Sequence, residues 1–185
     1  AVWDFGECFE AQLDFLVNFC GLGAGLFITG GENREITVCG EGGLSITRSF
    51  ERSIESALAR DEFREIGEKD MHEAADMTGV KLLYRQELIK QAPYGLDGVN
   101  VTFECENSAI SSIMNDVLAK LGAEQGGDIV LRCGVSGAKL SAYSPAAGET
   151  GYDKLLAVCC LGELENGRDI AVAYDAPMFL DSLAA

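Results

Sequence analysis

Asn100-Val101-Thr102-Phe103-Glu104-Cys105-Glu106-Asn107-Ser108-Ala109-Ile110 is the stretch that decides the fold. Residues 100–105 alternate in polarity, as a half-buried strand does, and Asn107-Ser108 supplies side-chain oxygens that cap a helix. From there Ile110, Ile113, Met114, Val117, Leu118 and Leu121 recur at helical spacing, and Gly122 ends the run. Asp128 to Cys133 reads as a second strand. Strand, helix and strand in that order predict a βαβ-type unit, with the stripe through Leu121 facing its sheet.

Downstream, Gly134-Val135-Ser136-Gly137 and Ser144-Pro145 are loop signals. A helix carrying Tyr152, Leu155, Leu156, Cys159 and Cys160 ends near Gly167. Ile170-Ala171-Val172-Ala173-Tyr174 then reads as a strand buried on both faces. Upstream, a helix runs from about Met77 to Gln91 and stops at Pro93. Residues 59–78 are mostly charged and make the best boundary, dividing the chain into units 1–66 and 67–185.

The first unit reads β-α-β-β-α. Val2 to Phe5 is a strand. Phe9, Leu13, Leu16, Val17 and Cys20 form a helical stripe that Gly21 stops. Gly25 to Thr29 and Glu35 to Cys39 are short strands. Gly40 to Gly43 turns the chain into a helix from Thr47, with Phe50, Ile54, Ala57 and Leu58 on one face. The fold class expected is α/β: two units with mixed, mainly parallel sheets flanked by helices.

Composition narrows the function classes. In 185 residues, apolar types make up 48% and charged types 24%, with 22 glycines and 3 prolines, which excludes a collagen-like or generally disordered chain. The formal charge of −16 argues against binding nucleic acid or an anionic membrane surface. No apolar run approaches the ~20 residues of a membrane span. Ala1-Val2-Trp3-Asp4-Phe5-Gly6 shows no basic leader, so a soluble, cytoplasmic protein is expected. The 7 cysteines form no CxxC pair and mostly sit inside apolar patterns, so they read as small buried thiols. His72 stands alone in a polar stretch and reads as a surface residue. Gly21-Leu22-Gly23-Ala24-Gly25 looks like a phosphate loop, but it follows a helix and opens a strand, the reverse of a dinucleotide loop.

Segment order adds a resemblance. Residues Ala11 to Phe27, then Ile28-Thr29-Gly30-Gly31-Glu32-Asn33, then Val38-Cys39-Gly40-Glu41-Gly42-Gly43-Leu44-Ser45, resemble the first domain of the α-D-phosphohexomutases. Gly95-Leu96-Asp97-Gly98-Val99-Asn100 through Asn107-Ser108-Ala109 is similar to that family's L-x-G-x-x-V-V-x-D-C-x-N-G-A segment. Leu121-Gly122-Ala123-Glu124 follows a helix, as there. Gly167-Arg168-Asp169-Ile170-Ala171-Val172-Ala173-Tyr174-Asp175 resembles the segment that opens the family's metal loop D-G-D-x-D-R. The resemblance runs over nearly the whole chain.

The departures carry as much weight. The family's phosphorylated serine falls on Gly31, which has no oxygen to phosphorylate. Glu32 replaces the histidine of that loop, Asn33 remains, and Arg34 replaces the proline. Thr29 keeps a hydroxyl two positions earlier. In the metal loop only Asp175 survives, followed by Ala176, Pro177, Met178, Phe179 and Leu180. One carboxylate cannot hold Mg2+, which wants several oxygens in near-octahedral geometry.

The resemblance thus implies a catalytically degenerate phosphohexomutase-like protein or fragment with no catalytic residue of its own. Thr29, Gly30, Gly31, Glu32 and Asn33 are the candidate substrate-binding residues, and Asp175 is a vestigial metal position. It implies a non-catalytic role related to sugar phosphates and no cofactor. Its partner is a protein, or further domains of the same protein, because the family's sugar-specificity domains have no counterpart in these residues. The rival expectation is one part of an active phosphosugar mutase, with Mg2+, completed by other domains or chains.

Overall fold

A computed structural model describes residues 1–30, 35–62, 67, 73–172 and 176–183. The chain is mixed α/β and divides into two compact units, Ala1–Gln91 and Ala92–Ala185. The division falls after Gln91, not near residue 66. The reason is the helix Leu82–Gln91, whose Tyr84 ring packs edge-on against Phe9 and Phe15, with centroids 5.5 and 5.4 Å away.

The first unit is built around α1 (Glu10–Phe19), which follows the short strand β1 (Trp3–Asp4). Leu13, Leu16 and Val17 point inward at the spacing the stripe predicts, joined by Gln12 from outside it, and Leu16 and Val17 are fully enclosed. Gln12 is the buried polar exception, and its Nε2 donates to the Lys81 carbonyl at 3.4 Å. β2 (Gly25–Ile28) and β3 (Ile36–Cys39) pair antiparallel as a hairpin. A tight 3-10 turn over Glu41–Gly43 then presses on α1: a Cβ at Gly43 would collide with the backbone of Asp14, and φ there is +69°.

α2 (Arg48–Ala59) starts where expected, with the Thr47 hydroxyl accepting from the Phe50 amide at 3.3 Å. Its apolar stripe does not meet a core. Phe50 and Leu58 are exposed, and no residue of the helix is buried. β4 (Ala75–Asp76) pairs parallel with β1. The Asp76 carboxylate accepts from the Thr78 amide at 3.0 Å, opening a 3-10 turn over Thr78–Lys81. α3 (Leu82–Gln91) therefore begins later than the Met77 the sequence suggests.

The second unit holds a five-stranded sheet in the order β6-β5-β7-β8-β9: β5 (Asn100–Cys105), β6 (Glu124–Gln125), β7 (Ile129–Cys133), β8 (Leu140–Ser144) and β9 (Gly148–Thr150). β5 runs parallel to β6 and β7, while β7–β8 and β8–β9 are antiparallel. With the β2–β3 hairpin, antiparallel and parallel pairings among the described residues balance, so the sheets are mixed but not mainly parallel. Short connections over residues 134–139 and 145–147 leave no room for the crossover that parallel pairing requires. Pattern reading missed β8 and β9 because Gly134, Ser136 and Gly137 punctuate the first turn and Ser144 and Pro145 the second.

α4 (Ser108–Lys120) links β5 to β6 and packs on β5. Asn107 Oδ1 accepts from the amides of Ala109 and Ile110 at 3.0 and 3.3 Å. Ile110 and Val117 are buried, but Leu121 has become the half-exposed C-cap, so the inward stripe ends sooner than predicted. Between β6 and β7 the chain crosses the first residue of β5. Gly127, at φ +108°, lies so close that a Cβ would sit 2.6 Å from the Asn100 Cβ. α5 (Tyr152–Glu165) packs on β8 and on a 3-10 turn over Met178–Leu183. Ile170, Ala171 and Val172 form no strand, and Ala173 and Tyr174 lie outside the described residues. Among the described residues no helix is long and apolar enough to cross a membrane.

Candidate functional site

The residues singled out in the first unit gather at one place only in part. Thr29 and Gly30 sit at the tip of the β2–β3 hairpin, while Gly31, Glu32 and Asn33 lie outside the described residues, as do His72 and Asp175. Thr29 closes the hairpin. Its amide donates to the Glu35 carbonyl at 3.0 Å, and its hydroxyl donates to the same carbonyl at 3.3 Å and accepts from the Glu35 amide at 3.1 Å. β2 lies in an antiparallel ribbon, so the rule that places ligands at the carboxyl ends of parallel strands does not reach this loop.

That rule applies in the second unit. β5 and β7 are adjacent and parallel. The chain leaves β5 through α4 toward β6 on one side and leaves β7 toward β8 on the other. Their carboxyl ends thus form a switch point where connections diverge and a crevice opens. Asn107 spans it: while its oxygen caps α4, its Nδ2 donates to the Val135 carbonyl in the loop after β7 at 3.1 Å.

Two clefts meet there. The larger, about 500 Å³, is lined by Phe103, Glu104, Cys105, Glu106, Ser111, Arg132 and Cys133. The smaller, about 290 Å³, is lined by Arg132, Cys133, Gly134, Lys139, Leu140, Ser141 and Tyr152. Arg132 belongs to both. Its Nε donates to Glu104 Oε2 on β5 at 2.8 Å and its Nη1 to Glu149 Oε2 on β9 at 3.2 Å. The Glu104 hydrogen bond and charge push the guanidinium pKa up, so Arg132 stays cationic at every working pH. These pairs are exposed to solvent, which screens them. Burial pushes the Cys133 thiol pKa up, as does its neighbour Cys105.

Lys139 differs from Arg132. Among the described residues its ammonium makes no ion pair and no side-chain hydrogen bond, and it lies at the foot of the loop that Gly134 opens, with the Gly134 amide on the Lys139 carbonyl at 3.1 Å. The smaller cleft therefore carries one cation without an ion pair among the described residues, one carboxylate-paired cation and the hydroxyls of Ser141 and Tyr152. That donor set suits a small anion bearing hydroxyl groups. Among the described residues, no group of three or more His, Cys, Asp or Glu side chains is gathered to hold a metal ion.

Sequence reading missed this site. Arg132 is the lone cation in an otherwise apolar strand, a signal that was legible. Lys139 and Ser141 reach the cleft through the β7–β8 hairpin, and Tyr152 through the packing of α5 on β8, neither of which the sequence disclosed. The chain matches no protein-family model and no curated protein.

Proposed function

We propose that this protein is a catalytically degenerate phosphohexomutase-like protein, cytoplasmic and without a resident cofactor, that binds a sugar phosphate without turning it over. The observation that carries the reading is the cleft at the carboxyl end of β7. There Lys139 and Arg132 offer positive charge, and Ser141 and Tyr152 offer hydroxyls, in a chain that is otherwise strongly acidic. The loss of catalysis rests on two features. Gly31 offers no oxygen where the family's nucleophile falls, and the nearest hydroxyl, that of Thr29, is engaged in closing its hairpin. Asp175 remains a vestige of the metal loop. A protein partner, or further domains of the same protein, would receive the signal of occupancy. The competing reading, a working mutase with Mg2+ completed by other domains or chains, draws on the same ordered segments.

Titration with a hexose 6-phosphate, followed by amide chemical shifts, tests the proposal. Saturable binding in the millimolar range is expected, with shifts centred on residues 132–141, unchanged by Mg2+ or chelator. Lys139→Gln should weaken it by about 10-fold, the loss of one charge-assisted contact worth roughly 1.5 kcal/mol. No saturable shift, or binding indifferent to Lys139→Gln, would overturn the reading. A Mg2+ requirement abolished by Asp175→Asn would favour the mutase instead.

A further inference from the structure

The larger cleft holds a feature that sugar-phosphate binding does not use. Cys105 and Cys133 are direct partners in the β5–β7 register, the last residue of each strand. Neighbouring strands lie about 4.8 Å apart, and paired residues of a ladder point to the same face. Disulfides join Cα atoms about 4.4–6.8 Å apart, so the backbone already meets that requirement. Cys105 Sγ donates to the Gly134 carbonyl at 3.7 Å, in the loop that follows β7. Both are half-buried and both line the cleft of about 500 Å³, which is wide enough for a small reagent.

The remaining cysteines lack this arrangement. Cys39 and Cys160 are buried, and Cys159, though exposed, is the helical neighbour of Cys160 and projects about 100° away from it. Cys8 and Cys20 are half-buried, and neither stands opposite another cysteine in a ladder.

We propose that Cys105 and Cys133 form a cross-strand dithiol that is oxidised to an intramolecular disulfide by a small-molecule disulfide, such as oxidised glutathione, that enters the larger cleft. One protein thiol, as its thiolate, attacks a sulfur of the reagent, making a mixed disulfide and expelling one reagent thiolate. The second protein thiolate then attacks the protein sulfur of that mixed disulfide and expels the other half. The two protons given up by the protein are taken by the two departing thiolates. The protein dithiol is oxidised and the reagent disulfide is reduced to two thiols. Excess thiol reduces the bond again by the reverse exchange. Its formation removes the Cys105 donor from Gly134 and changes the lining of the cleft.

The test treats the reduced full chain with oxidised glutathione under native conditions, then maps its peptides. The expected result is a mass loss of two hydrogens and a cross-linked peptide pair containing Cys105 and Cys133, reversed by dithiothreitol. Cys105→Ser should leave a glutathione adduct on Cys133 in its place, and Cys133→Ser the converse adduct on Cys105, so either variant serves if the other fails to fold. Stable glutathione adducts on the unsubstituted chain at these positions would overturn the proposal. So would a disulfide between any other pair, or no reaction at Cys105 and Cys133 while Cys159 is modified.

Discussion

The two units spend their apolar residues differently. Ala1–Gln91 packs tightly around one helix, with Leu16 and Val17 at zero exposure, yet leaves Leu26, Ile28 and Ile36 on the outer face of its hairpin more than half exposed. Ala92–Ala185 has no side chain so completely enclosed among its described residues. Its core is a thinner layer of Val101, Phe103, Ile110, Val117, Cys160 and Leu180 along a continuous sheet. The difference shows that an amphipathic pattern specifies a face but not what covers it. α2 is the more strongly amphipathic of the two helices, yet only the stripe of α1 is buried. The continuous sheet of the second unit, by contrast, is what makes a switch point and its clefts.

The largest expected effect tests the first half of that comparison. Leu16→Ala should cost on the order of 2–5 kcal/mol in a denaturant melt, by lost transfer energy plus the cavity it leaves. A loss under about 1 kcal/mol would mean that α1 is not the centre of its unit. Next comes the joint of the second unit. Asn107→Ala removes the α4 cap and the bridge to Val135, and should cost about 1–2 kcal/mol. Asn107→Asp should keep the cap and lose only the bridge, separating the two. The smallest effect belongs to α2, where Leu58→Ala should stay within about 0.5 kcal/mol because the side chain is already in water. A cost near that of Leu16→Ala would show that something covers this stripe in solution.

Much of the fold was legible. The strand, cap and helix over residues 100–120 follow from alternation, Asn107 and the stripe beyond it, and Gly21 and Gly167 close α1 and α5 in left-handed conformations as helix-ending glycines do. What failed was non-local. Strand direction in the sheet depends on connection lengths around β8 and β9, two short strands whose serines and glycines read as loop. Leu121 looked like a core residue by spacing, but the helix had already reached its last turn. The Cys105–Cys133 pairing and the Lys139–Tyr152 cleft both depend on register, which no local pattern discloses.

The central claim is that the chain binds without phosphoryl transfer, and covalent chemistry tests it most directly. After incubation with a hexose 1,6-bisphosphate and Mg2+, intact-mass measurement should find the chain unmodified, because Gly31 offers no nucleophile and the Thr29 hydroxyl is held in its hairpin. Stoichiometric addition of one phosphoryl group, mapped to Thr29, would contradict the account and make this protein part of a working mutase.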